Sequence, residues 1–240
     1  MIVFYTASRN LYLHLQPPIA SLLDHNPDIE KIYVLCEDDD LGWDTPPQVE
    51  CINVAGQTVF PADGPNYRTG FSYVTLSRAI IADLVPKKHD RIIQLDADTI
   101  INDSLQELWD MDIDGYWLAA VKENERHTQH AFEHIDPRYF NVGVALLNLK
   151  QIRKDKVTPK LIEALNTIYM PWIDQDAWNL LGLPEGKILE LTDVRWNESY
   201  MTGETDNPAI VHFCCVQRWW ANHDFHRREY WRKYRKKINN

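Results

Sequence analysis

The chain has 240 residues, and 45% of them are hydrophobic, which is enough for one large α/β domain or two small ones with a sizeable core. The formal net charge of −10 argues against a general nucleic-acid-binding protein, so we expect no nucleic acid among its partners. No apolar run approaches the length that is needed to span a membrane.

The four cysteines indicate a reducing compartment. Cys36, Cys51, Cys214 and Cys215 show no Cys-x-x-Cys spacing, which argues against a zinc site, and the adjacent pair would make a poor structural disulfide. Residues 1–5 lack a basic start followed by a long apolar stretch, so they predict a strand rather than a signal peptide. We therefore expect reduced thiols and a cytoplasmic location.

The first part of the chain alternates β-rich runs with helical patterns. Strands are predicted at residues 2–5, 32–36 and 49–54, and helices at residues 11–24, with a bend or restart at the two prolines 17–18, and at residues 73–84. Helical crossovers between strands predict a mainly parallel sheet. The acidic run 37–40 predicts a solvated loop.

Small and polar residues follow the first predicted strand. Thr6, Ala7 and Asn10 lie in this segment, which could be a nucleotide-binding edge or a plain turn between a strand and a helix. Arg78, in the helix predicted at residues 73–84, lies off its apolar face. It could reach a phosphate or a carboxylate, or form a surface salt bridge.

The chain is organised around two aspartates, Asp96 and Asp98. They follow an apolar run at residues 92–95 that predicts a buried strand, and Ser104 with Glu107 predicts a capping box that opens a helix. Both carboxylates should lie at the C-terminal edge of a strand, where open α/β sheets bind ligands. They repel each other unless a cation lies between them, and their oxygens suit Mg²⁺ or Mn²⁺. The alternative is an ordinary turn with solvated aspartates.

The second part of the chain continues the α/β pattern. It predicts an apolar run at residues 116–121, a buried strand at 139–149 that Gly143 interrupts, a helix at 157–169, a helix that opens near Asp174, a short strand at 188–191, a loop at 195–197 and a last strand at 209–213. In isolation, Asp174 predicts a helix N-cap and His212 a satisfied core histidine.

Two charged segments have their own predictions. His127, His130 and His134 have the spacing of one helix face, but the surrounding charges and Pro137 favour an exposed lid or loop over a metal site. The tail at residues 225–240 interleaves basic and aromatic residues. This pattern is typical of a helix on an anionic membrane surface, or of a solvated helix docked through its aromatic side chains. No linker divides the rest of the chain.

Several segments, taken in this order, resemble the family 8 glycosyltransferases, which include lipopolysaccharide galactosyl- and glucosyltransferases and the glycogenins. The resemblance implies one GT-A domain at residues 1–222, with a Rossmann-like, mixed and mainly parallel sheet flanked by helices, and a basic aromatic tail at 223–240. The residues that carry it are Arg78, Leu95-Asp96-Ala97-Asp98, Ser104-Leu105, Leu108-Trp109, Phe140-Asn141-Val142-Gly143-Val144, Asp174-Gln175-Asp176, Asn179 and His212-Phe213.

The resemblance implies a role for each matching residue. Asp96, Asp98 and His212 would hold Mn²⁺ or Mg²⁺, Asp174 would bind hydroxyls of the donor sugar, and Gln175 would lie near its anomeric carbon, the last two as catalytic residues. A manganese ion tolerates one imidazole among oxygen ligands. The substrate-binding residues would be Thr6, Ala7, Asn10, Arg78, Ala97, Asn141, Gly143, where the backbone approaches the sugar, and Arg218.

The implied reaction moves glucose or galactose, with retention, from a UDP-sugar to a hydroxyl group. The metal would neutralise the leaving diphosphate, and a diphosphate oxygen could serve as the base in a front-face attack. A bacterial surface glycan or a lipid-linked sugar is the expected acceptor. The basic tail would place the protein at the inner face of the membrane.

The chain departs from the family pattern at two places. Ser8 and Arg9 stand where the family commonly has carboxylates that contact uracil and ribose, which questions uridine specificity. Cys215 replaces a glycine near the expected diphosphate, while Arg218 replaces a lysine and can still bind phosphate.

Two other functions are compatible with parts of the sequence. A haloacid-dehalogenase-type phosphatase also uses Asp-x-Asp, but normally on the first strand, and Ile100 occupies the position of its usual Thr or Val. A scaffold protein that has lost turnover would explain Ser8, Arg9 and Cys215, although it would not explain the complete metal-binding set.

Overall fold

The computed structural model describes residues 1–124, 138–216, 219–220 and 224–238, with residues 237 and 238 described by their backbone alone. His127, His130, His134 and Arg218 therefore lie outside the described residues. The strands are β1 (Ile2–Thr6), β2 (Lys31–Cys36), β3 (Val49–Asn53), β4 (Ile92–Leu95), β5 (Thr99–Ile101), β6 (Leu118–Lys122), β7 (Phe140–Leu147), β8 (Ile188–Glu190) and β9 (Ile210–His212).

Most helices overlap predicted ones, with different lengths and types, but the helix Leu149–Lys154 was not predicted and a 3-10 helix includes the loop predicted at residues 195–197. The α-helices are α1 (Gln16–His25), α2 (Ile81–Leu84), α3 (Gln106–Trp109), α4 (Leu149–Lys154), α5 (Val157–Thr167), α6 (Asp174–Gly182) and α7 (Arg228–Ile238), and 3-10 helices span Arg9–Leu15, Tyr73–Ile80 and Val194–Asn197. The two prolines fall in the first turn of α1, where proline needs no N–H partner, so the helix restarts there. None of the helices in the described ranges is long and apolar enough to cross a membrane.

Seven strands form the main sheet in the order β3-β2-β1-β4-β7-β6-β8. The first four in this order are parallel, β7 is antiparallel to both of its neighbours, and β8 is parallel to β6. This mixed, mainly parallel sheet confirms the predicted fold class. Because β6 runs parallel to β4 across β7, the residues after both strands meet at one edge.

Apolar layers cover both faces of the sheet. Ile2 and Phe4 of β1 pack into one core, and Val3 and Tyr5 pack into the other. A strand that is buried on both faces has a nearly continuous apolar sequence. These strands could therefore be predicted although apolar and polar residues do not alternate along them. The sheet therefore holds its C-terminal edge rigidly.

A second, two-stranded sheet shapes that edge. The chain turns after β4, and β5 then pairs antiparallel with β9, so that Thr99 lies opposite His212. Helix α7 packs against this small sheet through Trp231 and Tyr234, which are buried with Val211 and Phe213. The aromatic side chains of the tail therefore dock it to the domain.

One local prediction needs correction. The helix after Asp98 begins only at Gln106, and although Ser104 Oγ accepts a hydrogen bond from the Gln106 N–H, Glu107 lies 3.6 Å from Arg195 instead of closing a capping box. The acidic run 37–40 forms the predicted loop, in which Asp39 and Asp40 are exposed and Asp38 pairs with Arg9 at 2.7 Å.

Candidate active site

Asp96, Asp98 and His212 converge at the edge of the sheet. Asp96 follows β4, Asp98 lies in the turn before β5, and His212 ends β9. His212 Nε2 lies 3.3 Å from Asp98 Oδ1 and 3.6 Å from Asp96 Oδ2, and one ligand atom from each residue falls within 4.8 Å of the others. The pairing of β5 with β9 thus creates the predicted ligand set.

The chemistry of this set fits a divalent cation. Two carboxylate oxygens with one imidazole suit Mn²⁺, and also Mg²⁺ with less preference for the imidazole. Burial lowers the pKa of His212, but the charges of Asp98 and Asp96 outweigh burial and raise it. The cluster therefore attracts positive charge, and a metal would take the place of the histidine proton.

Arg78 joins the two acidic parts of the site. Its guanidinium lies 2.9 Å from Asp96 Oδ1 and 3.1 Å from Asp174 Oδ2, and only 7% of the residue is exposed, so the surface-salt-bridge alternative is wrong. Burial raises the pKa of Asp96, and it raises that of Asp174 to about 6, while Arg78 opposes both shifts. Asp174 begins α6 but forms no side-chain cap, so its carboxylate is used in this ion pair.

Gly143 is fixed by the metal ligands. A Cβ at this position would lie 2.3 Å from His212 Cε1 and 2.7 Å from Asp96 Oδ2, distances that real Cβ atoms do not adopt. The carbonyl of Gly143 also accepts a 2.7 Å hydrogen bond from the Asp96 N–H. The contacts that require glycine here are with two candidate metal ligands, and the predicted approach of a sugar to this glycine stays a prediction.

Gln175 is held in one orientation on the wall of the same cleft. Its Oε1 accepts a hydrogen bond from the Val142 N–H at 3.1 Å, and its Nε2 donates to Glu123 at 3.1 Å and to the Tyr139 hydroxyl at 3.2 Å. Asp174 precedes it and lines the cleft as well. The two residues predicted as catalytic therefore lie together with the metal ligands.

Sequence reasoning missed two buried residues of the site. Glu123 directly follows β6, lines the cleft and is only 2% exposed; burial raises its pKa. Asn197 is fully buried and contacts both Asn141 and the metal ligand His212. A polar residue directly after a buried strand was a usable signal for Glu123, since Asp96 was found in the same way.

Only some of the remaining predicted substrate-binding residues line the cleft. Asn141 and Gly143 line the cleft, whereas Thr6, Ala7, Asn10 and Ala97 are not among the described residues that line it. Asn10 is exposed and accepts a 2.6 Å hydrogen bond from Ser8 Oγ. Their predicted contacts with the nucleotide stay predictions.

Cys214 and Cys215 lie on the wall of the cleft. Cys215 has a φ of 66°, in the left-handed region that favours glycine. This backbone conformation agrees with the glycine that the resemblance places at this position. The Cys215 side chain lines the cleft.

The sequence as a whole was compared with known proteins. The family model "Glycosyl transferase family 8" matches residues 2–224. The chain belongs to glycosyltransferase family 8. The glycosyltransferase GlyD of Streptococcus pneumoniae is 27% identical over 91% of this chain. The lipopolysaccharide 1,3-galactosyltransferase of Salmonella typhimurium is 30% identical over 50% of it.

This chain spans less than half the length of these two relatives, whereas the structural similarity to a solved protein extends over nearly the whole chain. The chain spans 28% of the length of GlyD and 39% of the Salmonella galactosyltransferase. The galactosyltransferase LgtC, solved with donor and acceptor sugar analogues, superposes with a TM-score of 0.77 over 99% of this chain and 96% of its own, at 22% identity. An active-site mutant of LgtC gives a TM-score of 0.79. The family 8 resemblance and the GT-A fold are confirmed.

Proposed function

We propose that this family 8 protein is a metal-dependent, retaining hexosyltransferase that moves glucose or galactose from a UDP-sugar to a hydroxyl group. The observation that carries the proposal is the convergence of Asp96, Asp98 and His212 beside Gln175 in one cleft. These three ligands would hold Mn²⁺ or Mg²⁺, and the bound metal would neutralise charge on the leaving diphosphate.

The residues next to the metal set are suited to bind the donor sugar. Arg78 fixes the Asp174 carboxylate, which can still accept hydrogen bonds from sugar hydroxyls. Gln175 is held by three hydrogen bonds, so it offers a rigid polar surface to the reacting carbon. Rigid positioning of this kind supports a front-face reaction in which the diphosphate accepts the proton of the attacking hydroxyl.

An aromatic rim supports a sugar acceptor. Phe71 and Trp172 line the same cleft, their ring centroids lie 5.9 Å apart in an edge-on contact, and they are 42% and 39% exposed. Exposed aromatic rings beside a few polar groups are typical of a small-molecule site. The acceptor would be a glycan or a lipid-linked sugar, and a bacterial surface glycan is consistent with the name of the lipopolysaccharide 1,3-galactosyltransferase of Salmonella typhimurium.

The deciding experiment measures donor binding and hydrolysis. Purified protein is mixed with UDP-glucose, UDP-galactose and other nucleotide-sugars, with and without Mn²⁺. We expect one UDP-hexose to be bound and hydrolysed only with metal, and Asp98→Asn to lower turnover by at least about 100-fold because one of three ligands is lost. Asp28→Asn, at an exposed position far from Asp98 in the sequence, is the matched control and should retain full activity.

The other outcomes of this assay point to the alternative functions. If no nucleotide-sugar binds with or without metal, the scaffold function is favoured. Recovery of nucleotide-sugar binding in Cys215→Gly would then assign the defect to the Cys215 side chain. Release of phosphate from simple esters would favour the phosphatase instead.

We also propose a cytoplasmic location with contact between α7 and the inner face of an anionic membrane. Trp231 and Tyr234 are buried, so the contact would use the exposed basic side chains of this helix. These exposed side chains are Arg232, Lys233, Arg235 and Lys236. The protein should sediment with vesicles that contain anionic lipid and not with neutral vesicles, and a charge reversal at Lys233 and Lys236 should lower the bound fraction. Equal sedimentation with both vesicles would refute the contact.

A further inference from the structure

A buried hydrogen-bonded chain connects His212 to Gln175. His212 Nδ1 lies 2.8 Å from Asn197 Oδ1, and Asn197 Nδ2 donates to Asn141 Oδ1 at 2.9 Å. Asn141 Nδ2 donates to Glu123 Oε1 at 2.9 Å, and Gln175 Nε2 donates to the same oxygen at 3.1 Å. This series of hydrogen bonds thus runs from a proposed metal ligand to a residue on the proposed sugar side of the cleft.

The direction of these hydrogen bonds is fixed by a backbone group. The Gly143 N–H can only donate, and it donates to Asn141 Oδ1 at 3.1 Å. The atom of Asn197 that faces Asn141 Oδ1 must therefore be its Nδ2, which leaves Asn197 Oδ1 towards His212. Since Oδ1 can only accept, His212 must carry its hydrogen on Nδ1. Glu123, an acceptor at the other side of Asn141, requires the same direction.

The consequence concerns the atom that would bind metal. With its hydrogen on Nδ1, His212 presents an Nε2 lone pair, and Nε2 is the atom that lies near Asp96 and Asp98. We propose that Asn197 is a positioning residue that holds His212 in this tautomer and links it to Asn141. Asn197 also accepts a hydrogen bond from the Thr202 hydroxyl at its carbonyl, so its backbone is anchored independently of its side chain. The inference rests on the proposed metal-dependent function.

Two substitutions separate the two contacts of Asn197. Asn197→Leu has a similar size and removes both hydrogen bonds, whereas Asn197→Asp keeps an acceptor for His212 and loses the donor to Asn141. The full chain is titrated with Mn²⁺ by electron paramagnetic resonance, without donor sugar. We expect Asn197→Leu to weaken Mn²⁺ binding about 10- to 100-fold, as is usual when the partner of a metal-ligating histidine is removed.

The aspartate variant should behave differently. We expect Asn197→Asp to bind Mn²⁺ within about threefold of the wild type, because carboxylates are common partners of metal-ligating histidines. Its binding of the UDP-hexose with Mn²⁺ should still fall, because an oxygen now faces Asn141 Oδ1. Nitrogen-15 NMR of the metal-free protein, recorded at a pH at which the His212 ring is neutral, should show its hydrogen on Nδ1 in the wild type and in Asn197→Asp, and a tautomer mixture in Asn197→Leu.

Several results would overturn the proposal. They are tight Mn²⁺ binding by folded Asn197→Leu, equal losses in both variants, or a neutral wild-type His212 ring with its hydrogen on Nε2. Asn197→Ser replaces the leucine variant if that variant does not fold, and Asn207→Leu, at an exposed site, is the control. Because Mn²⁺ is titrated without substrates, a wild-type chain that binds metal but transfers no sugar contradicts only the proposed function. A wild-type chain that binds no Mn²⁺ contradicts both.

Discussion

Replacement of Gly143 by alanine is expected to abolish metal binding and turnover while the domain stays folded. The new Cβ would lie 2.3 Å from His212 Cε1 and 2.7 Å from Asp96 Oδ2, so at least one of these ligands must move. A shift of about 1 Å in a reacting constellation costs about 100-fold in rate, and here two metal ligands are displaced together. We expect turnover to fall by at least that factor and Mn²⁺ binding to fall below detection in a direct titration.

The same substitution at a glycine in open space is the matched control. An added Cβ at Gly56 meets no atom within 4 Å, so Gly56→Ala should change neither Mn²⁺ binding nor turnover. Circular dichroism and thermal unfolding of Gly143→Ala separate a displaced site from a lost fold. If Gly143→Ala binds Mn²⁺ like the wild type, Asp96 and His212 do not hold the metal together in the arrangement described above.

The sheet and the two aspartates at its edge could be predicted because they depend on local sequence. A strand that is buried on both faces reads as an apolar run, and the polar residues that follow such runs must lie at the sheet edge. Asp96 and Asp98 follow β4 in this way. His212 could be placed beside them only by resemblance, because the pairing of β5 with β9 is not visible in the local sequence.

Arg78 shows how an assumed helical period can mislead. An α-helical period of 3.6 residues places Arg78 off the apolar face of residues 73–84, which suggested an exposed side chain. The segment Tyr73–Ile80 is instead a 3-10 helix, and every residue from Leu76 to Ile80 is buried, so a position off the apolar face is not exposed here. Local sequence did not indicate burial on several sides of this short helix.

Glu123 and Asn197 were missed for another reason. Glu123 begins a strongly charged run, and Asn197 lies between short strands, so both segments resemble solvated loops. Their burial follows from hydrogen bonds to Asn141 across 18 and 56 residues of sequence. The place of Glu123 directly after an apolar run was a usable local signal, whereas no pattern within a short window of sequence indicates the contacts of Asn197.

Arg78→Met is expected to cause the largest loss of stability. The substitution keeps the length of the side chain but leaves the carboxylates of Asp96 and Asp174 without their shared cation in a buried site. Removing one partner of a buried ion pair costs about 3–5 kcal/mol, and we expect a loss of this size in the free energy of unfolding, measured by urea denaturation without metal. Arg68→Met, at an exposed position, should change it by less than about 0.5 kcal/mol.

A double substitution tests whether the uncompensated charge is the cause. In Arg78→Met with Asp174→Asn one buried carboxylate is gone, so stability should recover by about half or more of the loss, and the two effects should not be additive. Mn²⁺ should also stabilise Arg78→Met, because it compensates Asp96. Neither change should restore turnover, since Asp174 would bind the sugar. An additive double variant would mean that Arg78 stabilises the domain through packing of its side chain rather than by balancing charge at the active site.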